Sequence, residues 1–384
     1  MKAAISCGAA LLVCLAARAA PPPAADVLPQ PAAGFAQALA PRSFTFPRDH
    51  GPHEEFRQEW WYFTGNLRSA DGARFGFELT FFRFALTPAG QPPAGPSAWR
   101  ARDLYLAHFA VTDVARGRFR AAQKLSRGAL GLAGAASPPL EVWIDDWRLR
   151  APADPVAAWQ LHARQKGYDL ELQLTPQGAP VLNGPGGLSV KADAPGAASY
   201  YYSIPRLRVT GQLQRDGTPQ TVTGDAWLDR EWGSGALGAQ QVGWEWFGLQ
   251  LGDGSALMFY ALRRTDGSLD THSAGTYTDP QGVSHALDAQ AVRITDTAHW
   301  RSADGVRYPS GWRIAVPQLA LAAEVTPVLA DQELHTTPRY WEGAVDVHGT
   351  RAAQALVGQG YVELVGYAER SARANTGAAA SVDR

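Results

Sequence analysis

The sequence predicts an all-β protein with two domains, on three observations. Short stretches with apolar residues at every second position recur along the chain, as in half-buried strands. Asp-Gly pairs separate several of these stretches, as in two-residue hairpin turns. The chain has 384 residues, which exceeds the roughly 250 to 300 residues at which a single core stops growing. Two β domains are therefore expected.

The first residues are typical of a secretory signal peptide. Lys2 precedes an apolar run over residues 9–17, and a small-x-small cleavage site follows at residues 17–19. We therefore assign residues 1–19 to the signal and expect the mature protein in the periplasm or outside the cell. Lipid attachment at Cys14 is disfavoured because the residue before it is bulky.

The net charge of the chain limits which classes of partner are expected. The formal net charge is −1, whereas nucleic-acid binding needs a basic excess. We therefore expect no nucleic-acid partner. Peripheral contact with a membrane or with the export system stays open.

A Pro- and Ala-rich leader over residues 20–43 follows the signal, and a leader of this composition forms no core of its own. The folded part is expected to start near Phe44. Two imidazoles and two carboxylates then lie in the segment 50–55, but Gly51-Pro52 makes it a turn. We favour a polar loop over a metal cluster here, and we expect neither a metal nor a cofactor.

The next stretch, residues 59–67, places four aromatic rings behind Glu59. It runs through Asp71-Gly72 into an alternating aromatic stretch over residues 75–81, which predicts a β-hairpin. A further strand contains His108 among apolar neighbours. A structural histidine and a ligand-polarising histidine are both open interpretations of that residue.

A second cluster combines acids and tryptophans at residues 226–235. Asp229 and Glu231 are two apart, so on a strand they share one face. If that face is interior, two close carboxylates raise one pKa and create a proton donor at neutral pH. The alternative is that Arg230 neutralises them in a structural network.

The second half repeats the opening theme. Residues 245–251 align without gaps on residues 61–67, and each stretch is followed by Asp-Gly and an aromatic strand. This self-similarity predicts a duplicated β domain. We place the domains at residues 44–232 and 233–370, with a disordered tail at residues 371–384.

Several separated motifs resemble the AttH-like family, which includes hydroxyneurosporene synthase. The motifs are Glu59-Trp60-Trp61-Tyr62, His108-Phe109-Ala110-Val111-Thr112-Asp113, Asp229-Arg230-Glu231-Trp232-Gly233, Tyr340-Trp341-Glu342-Gly343 and Gly360-Tyr361-Val362-Glu363. The resemblance implies two lipocalin-like antiparallel β-barrels packed together, with a ligand cavity between or within them. It also implies a hydrophobic isoprenoid or lipid ligand, because relatives include carotenoid 1,2-hydratases and fungal pericyclases that act on polyenes.

Under this interpretation Asp229 or Glu231 protonates a terminal alkene, and tryptophan faces stabilise the cation that forms. Glu342 or Glu59 then activates the water. The candidate catalytic residues are Asp229, Glu231 and Glu342. The candidate ligand-binding residues are Glu59, Trp61, Tyr62, His108, Trp232, Trp246, Tyr260 and Trp341. The acids beside tryptophans, namely Glu59, Glu231, Glu245 and Glu342, are expected to meet around one cavity.

Two other functions compete with this one. A periplasmic carrier of lipids would use the same cavity without chemistry, as lipocalin-like barrels commonly do. A serine hydrolase is the weaker alternative, since Ser234 lacks the Gly-x-Ser-x-Gly frame.

Overall fold

The computed structural model describes residues 33–91, 95–154 and 157–368. The predicted signal peptide, the first part of the leader and the predicted tail lie outside these residues. The regular structure of the described chain is nearly all strand and forms two antiparallel sheets, so the predicted fold class is confirmed. None of its helices is long and apolar enough to cross a membrane.

Within the described residues, the first sheet has thirteen strands in the order β4-β3-β2-β1-β13-β12-β9-β8-β7-β6-β5, and β10 and β11 pair with β12. Its strands are β1 (Gln58–Ser69), β2 (Arg74–Ala85), β3 (Asp103–Asp113), β4 (Arg118–Arg127), β5 (Ala133–Ala136), β6 (Leu140–Ile144), β7 (Trp147–Ala151), β8 (Trp159–Gln165), β9 (Tyr168–Pro176), β10 (Val181–Leu182), β11 (Leu188–Val190), β12 (Ala198–Arg215) and β13 (Thr218–Gly233). The sheet curls so that its ends approach, and Lys124 on β4 pairs with Asp146 beside β6.

Within the described residues, the second sheet has ten strands in the order β17-β16-β15-β14-β23-β22-β20-β19-β18, and β21 pairs with β22. Its strands are β14 (Gln241–Leu251), β15 (Ala256–Arg264), β16 (Ala274–Thr278), β17 (Ser284–Asp288), β18 (Arg293–Arg301), β19 (Arg307–Val316), β20 (Leu321–Pro327), β21 (Glu333–Leu334), β22 (Tyr340–Arg351) and β23 (Gln354–Val365). Short 3₁₀ turns lie at Arg48–His50, Pro185–Gly187 and Pro317–Leu319. The change from one sheet to the other falls between Gly233 and Gln241.

The opening hairpin is confirmed as β1 and β2, paired antiparallel from Gln58 opposite Phe84 to Arg68 opposite Arg74. Gly72 in its turn has φ of 85°, a value that favours glycine. The hairpin belongs to a repeated arrangement. In the second sheet β14 lies between β15 and β23, just as β1 lies between β2 and β13 in the first.

The two barrels pack through this repeated part, with reciprocal contacts. The Asn66 side-chain amide of β1 donates to the Gly360 carbonyl of β23 at 3.1 Å. The Gln250 amide of β14 donates to the Ala226 carbonyl of β13 at 2.9 Å. Asn66 and Gln250 occupy matching places in the aligned stretches, so the interface is close to twofold symmetric.

The close approach of the barrels depends on a small residue at Gly76. A Cβ added there would lie 2.5 Å from the Tyr361 hydroxyl and 2.8 Å from the Ala344 Cβ atom. Both contacts belong to the second barrel, so a side chain at this position would push the two sheets apart.

The segment before β1 packs on the first barrel. Ala38 is 1% exposed and belongs to the core of that barrel. The Ser234 hydroxyl donates to the Ala36 carbonyl at 2.6 Å, and the Tyr200 hydroxyl donates to the Ala40 carbonyl at 2.9 Å. The packed chain therefore begins earlier than Phe44, within the stretch that was predicted as a leader without a core.

Candidate active site

A cavity of about 160 Å³ lies between the two barrels. Both sheets contribute its walls through their repeated strands. The lining residues are Gln58, Trp60, Tyr62, Phe82, Phe84, Leu106, Lys191, Ala198, Ser199, Tyr201, Asp229, Glu231, Gly233, Gly235, Ala236, Leu237, Trp244, Trp246, Tyr260, Leu262, Pro338, Tyr340, Glu342, Glu363 and Val365. Most of these side chains are apolar or aromatic, and the polar ones are mainly carboxylic acids.

The position of each candidate follows from strand geometry, because successive side chains point to opposite faces of a sheet. On β13, Asp229 and Glu231 face the cavity, whereas Leu228 and Trp232 lie in the core of the first barrel. The expectation that Asp229 and Glu231 share one face is met. The alternation also divides the remaining predicted residues into two groups.

Six of the predicted residues line the cavity. They are Asp229, Glu231, Glu342, Tyr62, Trp246 and Tyr260. Tyr62 and Trp246 occupy matching places in the two barrels and meet edge to face, with ring centroids 5.2 Å apart. The repeated strands thus bring two aromatic side chains together at the centre of the interface.

Three predicted tryptophans do not line the cavity. Trp61 and Trp232 are buried in the core of the first barrel, and Trp341 is buried in the core of the second. Each is adjacent in sequence to a cavity residue and therefore points to the opposite face. We accordingly remove these three side chains from the candidate site.

Glu59 also points into the first barrel, where two arginines neutralise it. Its carboxylate pairs with Arg83 and with Arg230, and it accepts the His53 backbone N–H at 3.1 Å. Burial alone would raise the pKa of Glu59, but Arg83 and Arg230 hold it well below its ordinary value. Glu59 is therefore a structural ion and does not bind ligand in this cavity.

The expectation that four acids meet around one cavity is met in part. Glu231 and Glu342 line the cavity, whereas Glu59 does not. Glu245 lies on the barrel-facing side of β14 and accepts a hydrogen bond from the Tyr367 hydroxyl. Burial raises the pKa of Glu245, but its carboxyl group is separated from the cavity by the strand itself.

His108 lies behind the cavity wall. Its side chain is fully buried, and its Nδ1 atom is 2.7 Å from the hydroxyl of Tyr340 in the other barrel. Burial lowers the pKa of His108 to about 4, so the imidazole is neutral at neutral pH. Because Tyr340 lines the cavity and His108 does not, His108 positions a cavity residue across the interface.

Asp229 has the richest set of hydrogen-bond donors in the cavity. Its Oδ1 atom accepts from Ser203 at 2.5 Å and from the Trp227 indole at 2.6 Å, and its Oδ2 atom accepts from Tyr201. Burial raises the pKa of Asp229 to about 7, although these three donors pull it down. The carboxyl group is therefore close to half ionised at neutral pH.

Glu342 has the opposite environment. Its side chain is 1% exposed, and neither carboxyl oxygen has a hydrogen-bond partner of good geometry among the described residues. Burial raises the pKa of Glu342 well above its ordinary value, and the charges of Glu78 and Glu363 raise it further. This environment therefore favours the protonated form of Glu342.

Glu363 connects these two acids. It is directly opposite Glu342 in the pairing of β22 with β23, where facing Cβ atoms lie roughly 4.5 to 5.5 Å apart. Burial raises the pKa of Glu363 to about 7, and the charge of Asp229 adds to this effect. Glu363 also matches Asp229 in the repeated arrangement. Glu363 lies opposite Trp246 in the second sheet, just as Asp229 lies opposite Tyr62 in the first.

Several cavity residues were not predicted from the sequence. Trp60 and Trp244 form part of the aromatic wall, and Tyr201, Tyr340, Glu363 and Lys191 provide polar groups. Glu363 and Tyr340 stand in motifs that were already singled out, so alternation along β22 and β23 could have found them. Lys191 has no comparable sequence signal.

The segment with two histidines belongs to the first barrel. His50 Nδ1 lies 2.6 Å from the Tyr202 hydroxyl, and the His53 ring stacks on Trp232 with centroids 3.7 Å apart. Within the described part of the chain, no three His, Cys, Asp or Glu side chains are arranged to hold a metal ion.

Comparisons with known proteins agree with this architecture. The AttH-like family model matches residues 37–367. The fold is similar to that of NE1406 from Nitrosomonas europaea, which is assigned to AttH, with 35% identity, a TM-score of 0.77 and coverage of 87% of this chain and 100% of that one. It is also similar to kievitone hydratase from Nectria haematococca, with 14% identity, a TM-score of 0.65 and coverage of 88% and 98%.

None of the curated proteins matches the chain. The family model nevertheless spans nearly all of the two barrels, and the similarity to NE1406 extends over the whole of that protein. These two findings confirm the resemblance inferred from the motifs and the lipocalin-like fold that it implies. The chain belongs to the AttH-like family.

Proposed function

We propose that this protein is a hydratase that adds water across a carbon–carbon double bond of a hydrophobic, isoprenoid-like ligand. The observation that carries the proposal is the cluster of Asp229, Glu363 and Glu342 in an otherwise apolar cavity. Three neighbouring carboxyl groups with raised pKa values can hold and exchange protons at neutral pH. The name of kievitone hydratase, which has the same fold, also supports water addition as the reaction.

Glu342 is the proposed proton donor. Its raised pKa keeps the proton on the carboxyl group until an alkene carbon accepts it. The new C–H bond forms as the O–H bond of Glu342 breaks, and the other alkene carbon becomes cationic. Trp60, Trp244 and Trp246 line the same cavity, and the electron-rich faces of aromatic rings stabilise a nearby cation.

Asp229 is the proposed base. In its ionised form it accepts a proton from water as the water oxygen bonds to the cation, which leaves an alcohol. The donors of Ser203, Trp227 and Tyr201 stabilise that ionised form before the reaction. These roles reverse the sequence-based expectation, in which Asp229 or Glu231 gave the proton and Glu342 or Glu59 activated the water.

Glu363 completes the cycle. After one turnover Asp229 holds a proton and Glu342 has lost one. Glu363 lies opposite Glu342, and its pKa responds to the charge of Asp229. It can therefore pass the proton from Asp229 back to Glu342, and no net proton is consumed.

The proposal is tested by incubating the protein with a panel of isoprenoid alkenes in water enriched in ¹⁸O. We expect a product heavier by one labelled water. Glu342→Gln should lower turnover by about 10² to 10⁴-fold, the usual contribution of general acid–base catalysis. Asp229→Asn should reduce it by a similar factor, and product formation is followed by mass spectrometry.

Glu245→Gln is the matched control, because Glu245 is also a buried acid with a raised pKa but faces away from the cavity. Its turnover should equal that of the unmodified protein. Equal turnover in Glu342→Gln would remove that acid from the mechanism. Tight binding of the alkenes without any labelled product would favour a carrier of hydrophobic ligands instead.

A further inference from the structure

The cavity contains one partly buried cation whose role is not explained by proton transfer. Among the described residues that line the cavity, Lys191 is the only lysine or arginine. Its Nζ atom lies 3.4 Å from a carboxylate oxygen of Glu231 and 3.8 Å from the centroid of the Tyr260 ring. A cation in such a wall is costly unless it has a partner.

The position of Lys191 is fixed by the surrounding backbone. The backbone N–H of Lys191 donates to the Ala197 carbonyl at 2.8 Å. Its backbone carbonyl accepts from the Gln241 side-chain amide at 2.6 Å. The Tyr260 ring under the ammonium is also held, since its hydroxyl lies 2.9 Å from the Ser189 hydroxyl. The ammonium group is therefore placed before any ligand arrives.

The known partners leave donor capacity on this ammonium group. It carries three N–H donors, while its described neighbours provide the Glu231 carboxylate and the ring faces of Tyr260 and Tyr201. Ring faces are weaker acceptors than oxygen atoms. A ligand oxygen in the cavity would therefore gain a charge-assisted hydrogen bond from Lys191.

The charge around Lys191 indicates which kind of oxygen fits. Glu231 already balances the ammonium charge, and burial and the charge of Glu231 raise the pKa of nearby Asp229. A ligand carboxylate would add a net negative charge beside these acids. A hydroxyl or carbonyl oxygen accepts the same hydrogen bond without that repulsion.

We propose that Lys191 binds a neutral oxygen at one end of the ligand and so fixes the position of the double bond beside Glu342. The ligand is then an oxygenated isoprenoid alcohol, ketone or related compound, and not a pure hydrocarbon or an acid. This inference rests on the proposed function of the same cavity and names its substrate class. Lys191 acts as a specificity residue and takes no part in the proton steps.

The test measures binding and needs no turnover. The neutral dye N-phenyl-1-naphthylamine is the fluorescent probe of the cavity, and farnesol, farnesene and farnesoate are compared as its competitors at pH 8. The unmodified protein should bind farnesol at least about tenfold more tightly than farnesene, as expected for a hydrogen bond to a charged group. Farnesoate should bind more weakly than farnesol.

Lys191→Met should remove the preference for farnesol, while binding of the dye and of farnesene is kept. Lys191→Arg should retain part of the preference, and Lys124→Met, which removes an ammonium group on β4, should retain all of it. Lys191→Gln is measured as a second neutral variant, so that a folding defect in Lys191→Met does not decide the result. A failure of the hydratase assay leaves these binding ratios unaffected.

Three outcomes would overturn the inference. Farnesene could bind the unmodified protein as tightly as farnesol. The preference for farnesol could persist in Lys191→Met and Lys191→Gln. Farnesoate could be the tightest of the three ligands, which would contradict the neutral oxygen.

Discussion

Two buried acids, Glu59 on β1 and Asp229 on β13, point to opposite faces of the same pair of strands. Glu59 faces the interior of the first barrel, and Asp229 faces the cavity. Arg230 is the sequence neighbour of Asp229, but its guanidinium group lies on the other face and pairs with Glu59. The arginine therefore neutralises the structural acid and leaves the cavity acid without an arginine partner.

The difference in countercharge gives the two groups opposite pKa shifts. The pKa of Glu59 lies well below its ordinary value because burial is outweighed by Arg83 and Arg230. The pKa of Asp229 rises to about 7 because burial is not outweighed by its hydrogen bonds. Of these two buried acids, only the one without an arginine partner has a raised pKa.

The largest expected effect is the loss of stability when Glu59 loses an arginine partner. Arg230→Met leaves Glu59 buried with only part of its countercharge, and breaking a buried ion pair on one side costs about 3 to 5 kcal/mol. We expect the free energy of unfolding in urea at pH 7 to fall by that amount. Arg313→Met is the control, since the Arg313–Glu324 pair is exposed and such pairs contribute about 1 kcal/mol or less. A small loss in Arg230→Met would show that Glu59 is not neutralised by this arginine.

The second largest effect is on how the free energy of unfolding depends on pH when Asp229 is replaced. The folded state of the protein holds the Asp229 proton up to about pH 7, whereas the ordinary value is 3.8. Between these values the folded state binds the extra proton, so the contribution of Asp229 to stability is largest at low pH and declines as pH rises through this range. Asp229→Asn should remove a slope of up to about 1.4 kcal/mol per pH unit between pH 5 and 7.

The contribution of Glu59 to stability changes with pH in the opposite direction. Glu59 has a lowered pKa, so its contribution to stability is present above its ordinary value of 4.5 and is lost as the pH falls below it. Glu59→Gln should therefore leave the slope between pH 5 and 7 unchanged. Urea unfolding at several pH values compares the two variants, and equal slopes for all three proteins would contradict the assigned shift of Asp229.

The smallest effect is expected for Glu342→Gln. The raised pKa of Glu342 favours its uncharged form, and the amide of glutamine is also uncharged and has nearly the same shape. The free energy of unfolding should change by less than about 1 kcal/mol, as for changes that create no cavity and no unpaired charge. A loss as large as that of Arg230→Met would mean that Glu342 is ionised and paired.

The sequence was sufficient for the fold class and for the opening hairpin, because Asp71-Gly72 and the alternating stretch after it are local signals. It was also sufficient for the shared face of Asp229 and Glu231. The cavity aromatics were harder to assign. β1 is buried on both faces over most of its length, so Trp60 and Trp61 give no alternation that separates cavity from core.

The remaining site residues depend on contacts between distant parts of the chain. Lys191 enters the cavity because the backbone from Lys191 to Ala197 turns back on itself, and nothing in the sequence around it indicates that turn's direction. Glu59 and Asp229 point to opposite faces because of the register in which β1 pairs with β13, which places Tyr62 opposite Asp229. Strands separated by more than a hundred residues do not reveal this register from sequence alone.

Infrared spectroscopy can measure whether the cavity acids hold protons at neutral pH. Protonated carboxylic acids have a carbonyl stretch that is distinct from the bands of ionised carboxylates. We expect the unmodified protein to show this band at pH 7, Glu342→Gln to weaken it, and Glu59→Gln to leave it unchanged. A spectrum without the protonated band at pH 7 would contradict the account.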